Sequence, residues 1–98
     1  MIIRIVRMTF REEKVADFLK MFDETKHLIR HYPGCTNLEL MKDAAANNIF
    51  ITFSHWKSEQ DLENYRNSEL FGKVWKETKS YFADKPTAFS MKKFIVVE

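Results

Sequence analysis

The chain opens on MIIRIVRMTF, a run of β-branched and alternating residues that predicts a strand, and a charged cluster from Arg11 to Lys14 follows in the manner of an exposed first helical turn. Val15, Phe18, Leu19, Phe22 and Ile29 then recur at spacings that place them on one helical stripe, and Pro33-Gly34 stops that helix near Tyr32. TNLELMK, residues 36–42, predicts a second strand, and the loop DAAANN returns the chain antiparallel into IFITFSHW, a third. Ser58 with Asp61 three residues on resembles a capping box, and Ser68 starts a second helical stretch carrying Leu70, Phe71, Val74, Trp75, Thr78 and Phe82. After Asp84-Lys85-Pro86 the closing AFSMKKFIVVE returns to strand character. The order is β-α-β-β-α-β in one domain over residues 1–98. This is an α+β, ferredoxin-like arrangement: a four-stranded antiparallel sheet with two helices on one face.

The third strand carries large apolar groups on both faces. Ile49, Ile51 and Phe53 point one way and Phe50 and Trp56 the other, with Thr52 and Ser54 between, because strand side chains alternate. The closing segment repeats the pattern, with Met91, Ile95 and Val97 against Phe94 and Val96. Helices cover one face only, and an antiparallel sheet in a monomer can leave the other face polar and wet. Five or so apolar side chains on that other face, at about 1.5–3 kcal/mol each on burial, are comparable to the roughly 4–15 kcal/mol cost of association. The expected partner is a second copy of the chain, packed sheet against sheet.

Composition narrows the remaining classes. A formal charge of +2 over 98 residues, without long blocks of one sign, gives no strong pull on nucleic acid or anionic membrane. No apolar run approaches the roughly 20 residues that span a bilayer. The single Cys35 excludes an intramolecular disulfide framework, and the opening residues lack the pattern of a secretory signal, so a cytoplasmic protein is expected. His27 and His31 have a chelating spacing but lie off the apolar stripe with no third ligand evident, so no metal is expected.

With the PGC turn at Pro33, Gly34 and Cys35, the strand ending in Trp56, and the pattern WKSEQDLENYRNSELF from Trp56 to Phe71, the chain resembles the antibiotic biosynthesis monooxygenase family of dimeric α/β barrels. The resemblance spans nearly the whole chain. It implies a cofactor-independent monooxygenase in which a small aromatic or quinol-like substrate itself reduces dioxygen. Such a family also contains haem-degrading members, but Trp75 stands where their axial histidine would be and Val6 where they carry an asparagine, so haem chemistry is not expected. Tyr65 stands where many quinol-type members have histidine.

Such a site needs aromatic walls and a few convergent hydrogen-bond donors. Tyr65, Trp56 and His55 are the catalytic candidates, and Asn37, Thr52, Phe71 and Trp75 the substrate-binding ones. Each has a blander reading: Trp75 as core, Trp56 as the plug of one barrel end, Cys35 as structural. Tyr65, with an ordinary pKa near 10, is better suited to donating a hydrogen bond than to acting as a base. Strict alternation puts His55 on the face opposite Trp56. The competing function is a non-catalytic small-molecule-binding or stress-related dimer of the same fold. A single-strand RNA binder is disfavoured because NIFITF lacks the basic-Gly-aromatic signature of that module.

Overall fold

The computed structural model describes residues 1–98. Strands β1 (Ile2–Thr9), β2 (Cys35–Lys42), β3 (Ile49–Trp56) and β4 (Thr87–Met91) form an antiparallel sheet in the order β2-β3-β1-β4. Helix α1 (Val15–Arg30) connects β1 to β2, and α2 (Glu59–Arg66) and α3 (Glu69–Lys79) connect β3 to β4. The fold is ferredoxin-like with three helices rather than two. The break falls at Asn67-Ser68, where the Ser68 hydroxyl accepts from the Phe71 amide at 3.1 Å and starts a new helix. Ser58 does the same for α2, accepting from the Asp61 amide at 3.1 Å.

Alternation sorts the sheet into two faces. Even-numbered residues of β1 and β3 turn toward the helices: Ile2, Met8, Phe50 and Trp56 are buried there. They join two clusters, one of Ile2, Ile29, Cys35, Trp56, Leu62 and Tyr65, the other of Met8, Phe10, Phe18, Met21 and Phe50. In α1 the buried positions are Phe18, Met21 and Ile29, whereas Leu19 is 40% exposed. The expected stripe is corrected at that point, since a residue one step from Phe18 is rotated by about 100° away from the core-facing line.

On the other face, which no helix covers, Ile3, Ile5, Ile51 and Phe53 sit side by side, flanked by Met41, Phe89 and Met91, which are 41%, 45% and 39% exposed. The closing strand is shorter than its sequence predicts and ends at Met91, leaving residues 92–98 without regular structure and Phe94 94% exposed. Register explains this: Met91 already pairs with Ile3, so an antiparallel continuation would run past the first residue of β1 within two steps.

The α1–β2 turn is fixed by Gly34, whose φ of 92° lies in the left-handed region. The Gly34 carbonyl accepts from the Lys57 amide at 2.9 Å, and Arg30 Nη1 donates to the Cys35 carbonyl at 3.0 Å. A Cβ at position 34 would overlap the side chain of Asp61 at the start of α2. Gly34→Ala is therefore expected to destabilise the protein by about 2–4 kcal/mol in urea titration, through backbone strain and overpacking together. A shift within experimental error would show that the turn and α2 separate at no cost.

Candidate functional site

Along the helix-facing side of β3 the side chains run Phe50, Thr52, Ser54, Trp56: large, small, small, large. Phe50 and Trp56 each anchor one of the two apolar clusters, and the small pair between them leaves space. The result is a cavity of about 250 Å³ between sheet and helices, floored by Val6, Leu38, Thr52, Ser54 and Ala88 and roofed by side chains of all three helices. Fourteen of its nineteen lining residues are hydrophobic, so an occupant must itself be largely apolar.

One wall is a continuous aromatic series. Trp56 stacks on Tyr65 with ring centroids 4.8 Å apart, and Tyr65 meets Phe71 edge to face at 5.2 Å. Phe71 in turn stacks on Trp75 at 5.8 Å. The series follows from the helix break: Tyr65 sits in the last turn of α2, and the Ser68 cap redirects the chain so that Phe71 and Trp75, four apart on α3, face the same space. Trp56 is fully buried and its indole Nε1 donates to Ser54 Oγ at 3.0 Å, which leaves the Ser54 proton free to be donated elsewhere. Burial pushes the Tyr65 phenol well above its ordinary pKa, with Cys35 and Tyr32 adding to the shift. Tyr65 is thus a neutral donor at physiological pH.

Of the sequence candidates, Trp56, Tyr65, Thr52, Phe71 and Trp75 all line the cavity. His55 and Asn37 do not. They pair with each other across β2 and β3 on the face without helices, where the His55 ring packs against Phe53 at 5.1 Å. Asn37 follows a bulge between Cys35 and Asn37, and its amide donates to Glu39 Oε1 at 3.0 Å, so Leu38, not Asn37, reaches the cavity. His55 Nε2 is buried without a hydrogen-bond partner in the chain.

The two charged lining residues, Arg4 on β1 and Arg66 at the end of α2, were missed by the sequence reading. Arg4 could have been found, since it shares parity with Val6 and Met8, whereas Arg7 falls with Ile3 and Ile5. Arg4 Nη1 donates to Ser90 Oγ at 3.2 Å. Burial, and then the charge of Arg66, lower the Arg4 pKa, while Glu63 partly opposes them. No cluster of three or more His, Cys, Asp or Glu side chains could hold a metal ion. The Cys35 thiol is buried, with its Sγ directed to the Asn37 carbonyl at 3.5 Å, and burial raises its pKa, which keeps it protonated and unreactive. No helix is long and apolar enough to cross a membrane.

Comparison with known proteins agrees with this fold. Among solved structures, an antibiotic biosynthesis monooxygenase superposes with a TM-score of 0.90 at 18% identity, covering 97% of this chain and 100% of that one. A conserved protein from Methanosarcina mazei Go1 gives 0.89 at 18% identity, covering 96% and 94%. Rv0793 from Mycobacterium tuberculosis gives 0.88 at 14%, covering 99% and 98%. Identities this low establish the fold alone. No curated protein sequence matches the chain significantly. The family model for antibiotic biosynthesis monooxygenases matches residues 1–77, more than half of the 98, and the chain belongs to that family.

Proposed function

We propose that the chain is a cofactor-independent monooxygenase that oxidises a small aromatic or quinol-like molecule with dioxygen, working as a homodimer. The observation that carries this reading is the apolar cavity whose aromatic wall includes Tyr65, stacked on Trp56. A substrate whose activated CH₂ loses a proton becomes an electron-rich carbanion, and that carbanion reduces dioxygen to form a C–O–O bond. Loss of water then leaves a ketone, with one oxygen atom in the product and one in water. The protein's part is to exclude bulk water, orient the ring against Trp56 and Trp75, and stabilise the developing oxyanion by hydrogen bonds from Tyr65 and Thr52. Incubated in air with anthrones and hydroquinones, the protein should take up oxygen faster than a blank, and Tyr65→Phe should lower kcat/KM about 100-fold. Rates equal to the blank across the panel, or an unchanged Tyr65→Phe variant, would overturn it.

A second reading, a binding protein without turnover, is favoured by one observation. Arg4, Tyr65 and Arg66 are the titratable groups lining the cavity, and none is a base at neutral pH. That reading gains if aromatic ligands raise the melting temperature while oxygen uptake stays at background.

The donor role requires a neutral phenol. Because the folded-state pKa of Tyr65 is raised above the unfolded value of 10.0, its contribution to stability is intact below pH 10. The contribution is lost as pH rises from there toward the folded pKa, where the unfolded chain binds fewer protons. Urea midpoints should therefore fall above pH 10 more steeply for the wild type than for Tyr65→Phe. Parallel curves would mean that the phenol is solvated.

The dimer is supported by the apolar face of Ile5, Ile51, Phe53 and Phe89, which the helices leave uncovered. Sedimentation at micromolar concentration should give twice the chain mass of 11.7 kDa, and Phe53→Lys should return it to one. A wild-type monomer under those conditions removes the assembly from the proposal.

A further inference from the structure

The oxygenase reading leaves two charged side chains of the cavity without a task. Arg4 projects from the middle of β1 among Val6, Ser54 and Ala88, and Arg66 comes from the end of α2. A guanidinium carries five donors, and the chain uses Arg4 for a single bond, to the neutral Ser90 hydroxyl. No carboxylate lies within ion-pair distance of it. Arg66 is paired at 3.4 Å with Glu63, but both partners are about half exposed, so that pair is readily exchanged for a stronger one. Two like charges thus face one mostly apolar cavity, each lacking a firm counter-ion. A half-buried arginine among apolar neighbours is unfavourable unless something negative offsets it.

We infer that the cavity takes a one- or two-ring aromatic molecule bearing an oxyanion substituent, a carboxylate or a phosphate monoester, held by Arg4 and Arg66 with its rings against the Trp56–Tyr65–Phe71–Trp75 wall. The inference rests on reading the cavity as a small-molecule site. The planar fork of Arg4 matches a carboxylate or phosphate edge through two parallel bonds, and Arg66 at the rim supplies the second charge. Size fits as well. An engineered cavity of about 150 Å³ holds benzene, and the space here is about 250 Å³. Glu63 beside Arg66 limits the net charge at this end to one unit, which favours the carboxylate over the more highly charged phosphate monoester.

The test is a fluorescence titration of 2-naphthoate, its uncharged amide 2-naphthamide, and 2-naphthyl phosphate, with Trp56 and Trp75 in the cavity wall as reporters. The acid should bind about tenfold or more tighter than the amide at low ionic strength, with the difference shrinking in high salt. The phosphate arm tells which oxyanion is preferred. Arg4→Gln should abolish the preference, Arg4→Lys should keep part of it, and binding of the amide serves as the check that each variant is folded. Arg66→Gln gives an independent route, since it lies at the rim and should weaken the preference alone. Equal affinity for acid and amide in the wild type, a preference that survives Arg4→Gln, or no binding of any of the three overturns the inference. Its fate is separable from that of the oxygenase reading. Charge-selective binding without oxygen uptake leaves only the inference standing, and oxidation of neutral hydroquinones with no charge preference leaves only the oxygenase.

Discussion

The stack of Trp56 on Tyr65 is the contact on which the rest of the structure depends. It ties the end of β3 to the end of α2, and it closes one end of the space that Thr52 and Ser54 are too small to fill. Trp56 has nowhere else to go: Ile2, Ile29, Cys35 and Leu62 surround it, and its one polar atom is satisfied by Ser54 two residues earlier on the same strand face. With Phe50, Phe10 and Phe18 packed at the far end, the two clusters act as fixed walls. Close-packed interiors do not normally leave voids of this size, and here the void is held open by rigid aromatic ends rather than by a weakness in the middle.

Much of this was legible from residue spacing, because period two in strands and the serine caps are strong local signals. The four strands, the antiparallel return through DAAANN and the starts of α2 and α3 follow from them directly. Three features escaped. Leu19 looks core-facing by spacing from Val15 and Phe22, but Met21 takes the inner position and Leu19 turns out, a choice made by packing against the sheet. The tail after Met91 has strand composition without a strand to pair with, which depends on register and not on residue type. Arg4 was not singled out, although its parity with Val6 and Met8 sends it inward. Among the site candidates, alternation foretold that His55 turns away from Trp56, while the bulge that displaces Asn37 leaves no mark in the sequence.

The sheet's two faces divide the labour by chemistry. The inner one mixes small, polar and charged side chains beneath an aromatic roof, which suits a guest with both a ring and a polar end. The outer one presents branched aliphatic and aromatic groups in register across β1, β3 and β4, together with the unpartnered His55 Nε2. A polar atom sealed among apolar neighbours is a cost that a lone chain bears and that an added surface can relieve or deepen. Each face is read by its own set of odd or even positions, so a substitution in β3 alters one face or the other and rarely both.

The cavity lining of phenol and guanidinium groups, without imidazole or carboxylate, has a kinetic meaning. Any reaction there that begins with loss of a proton from the guest must hand that proton to water or let the guest arrive already ionised. The steepness and midpoint of its pH–rate curve would then belong to the guest, displaced by the cationic surroundings, and would travel with the acidity of each compound offered instead of staying at one value set by the protein.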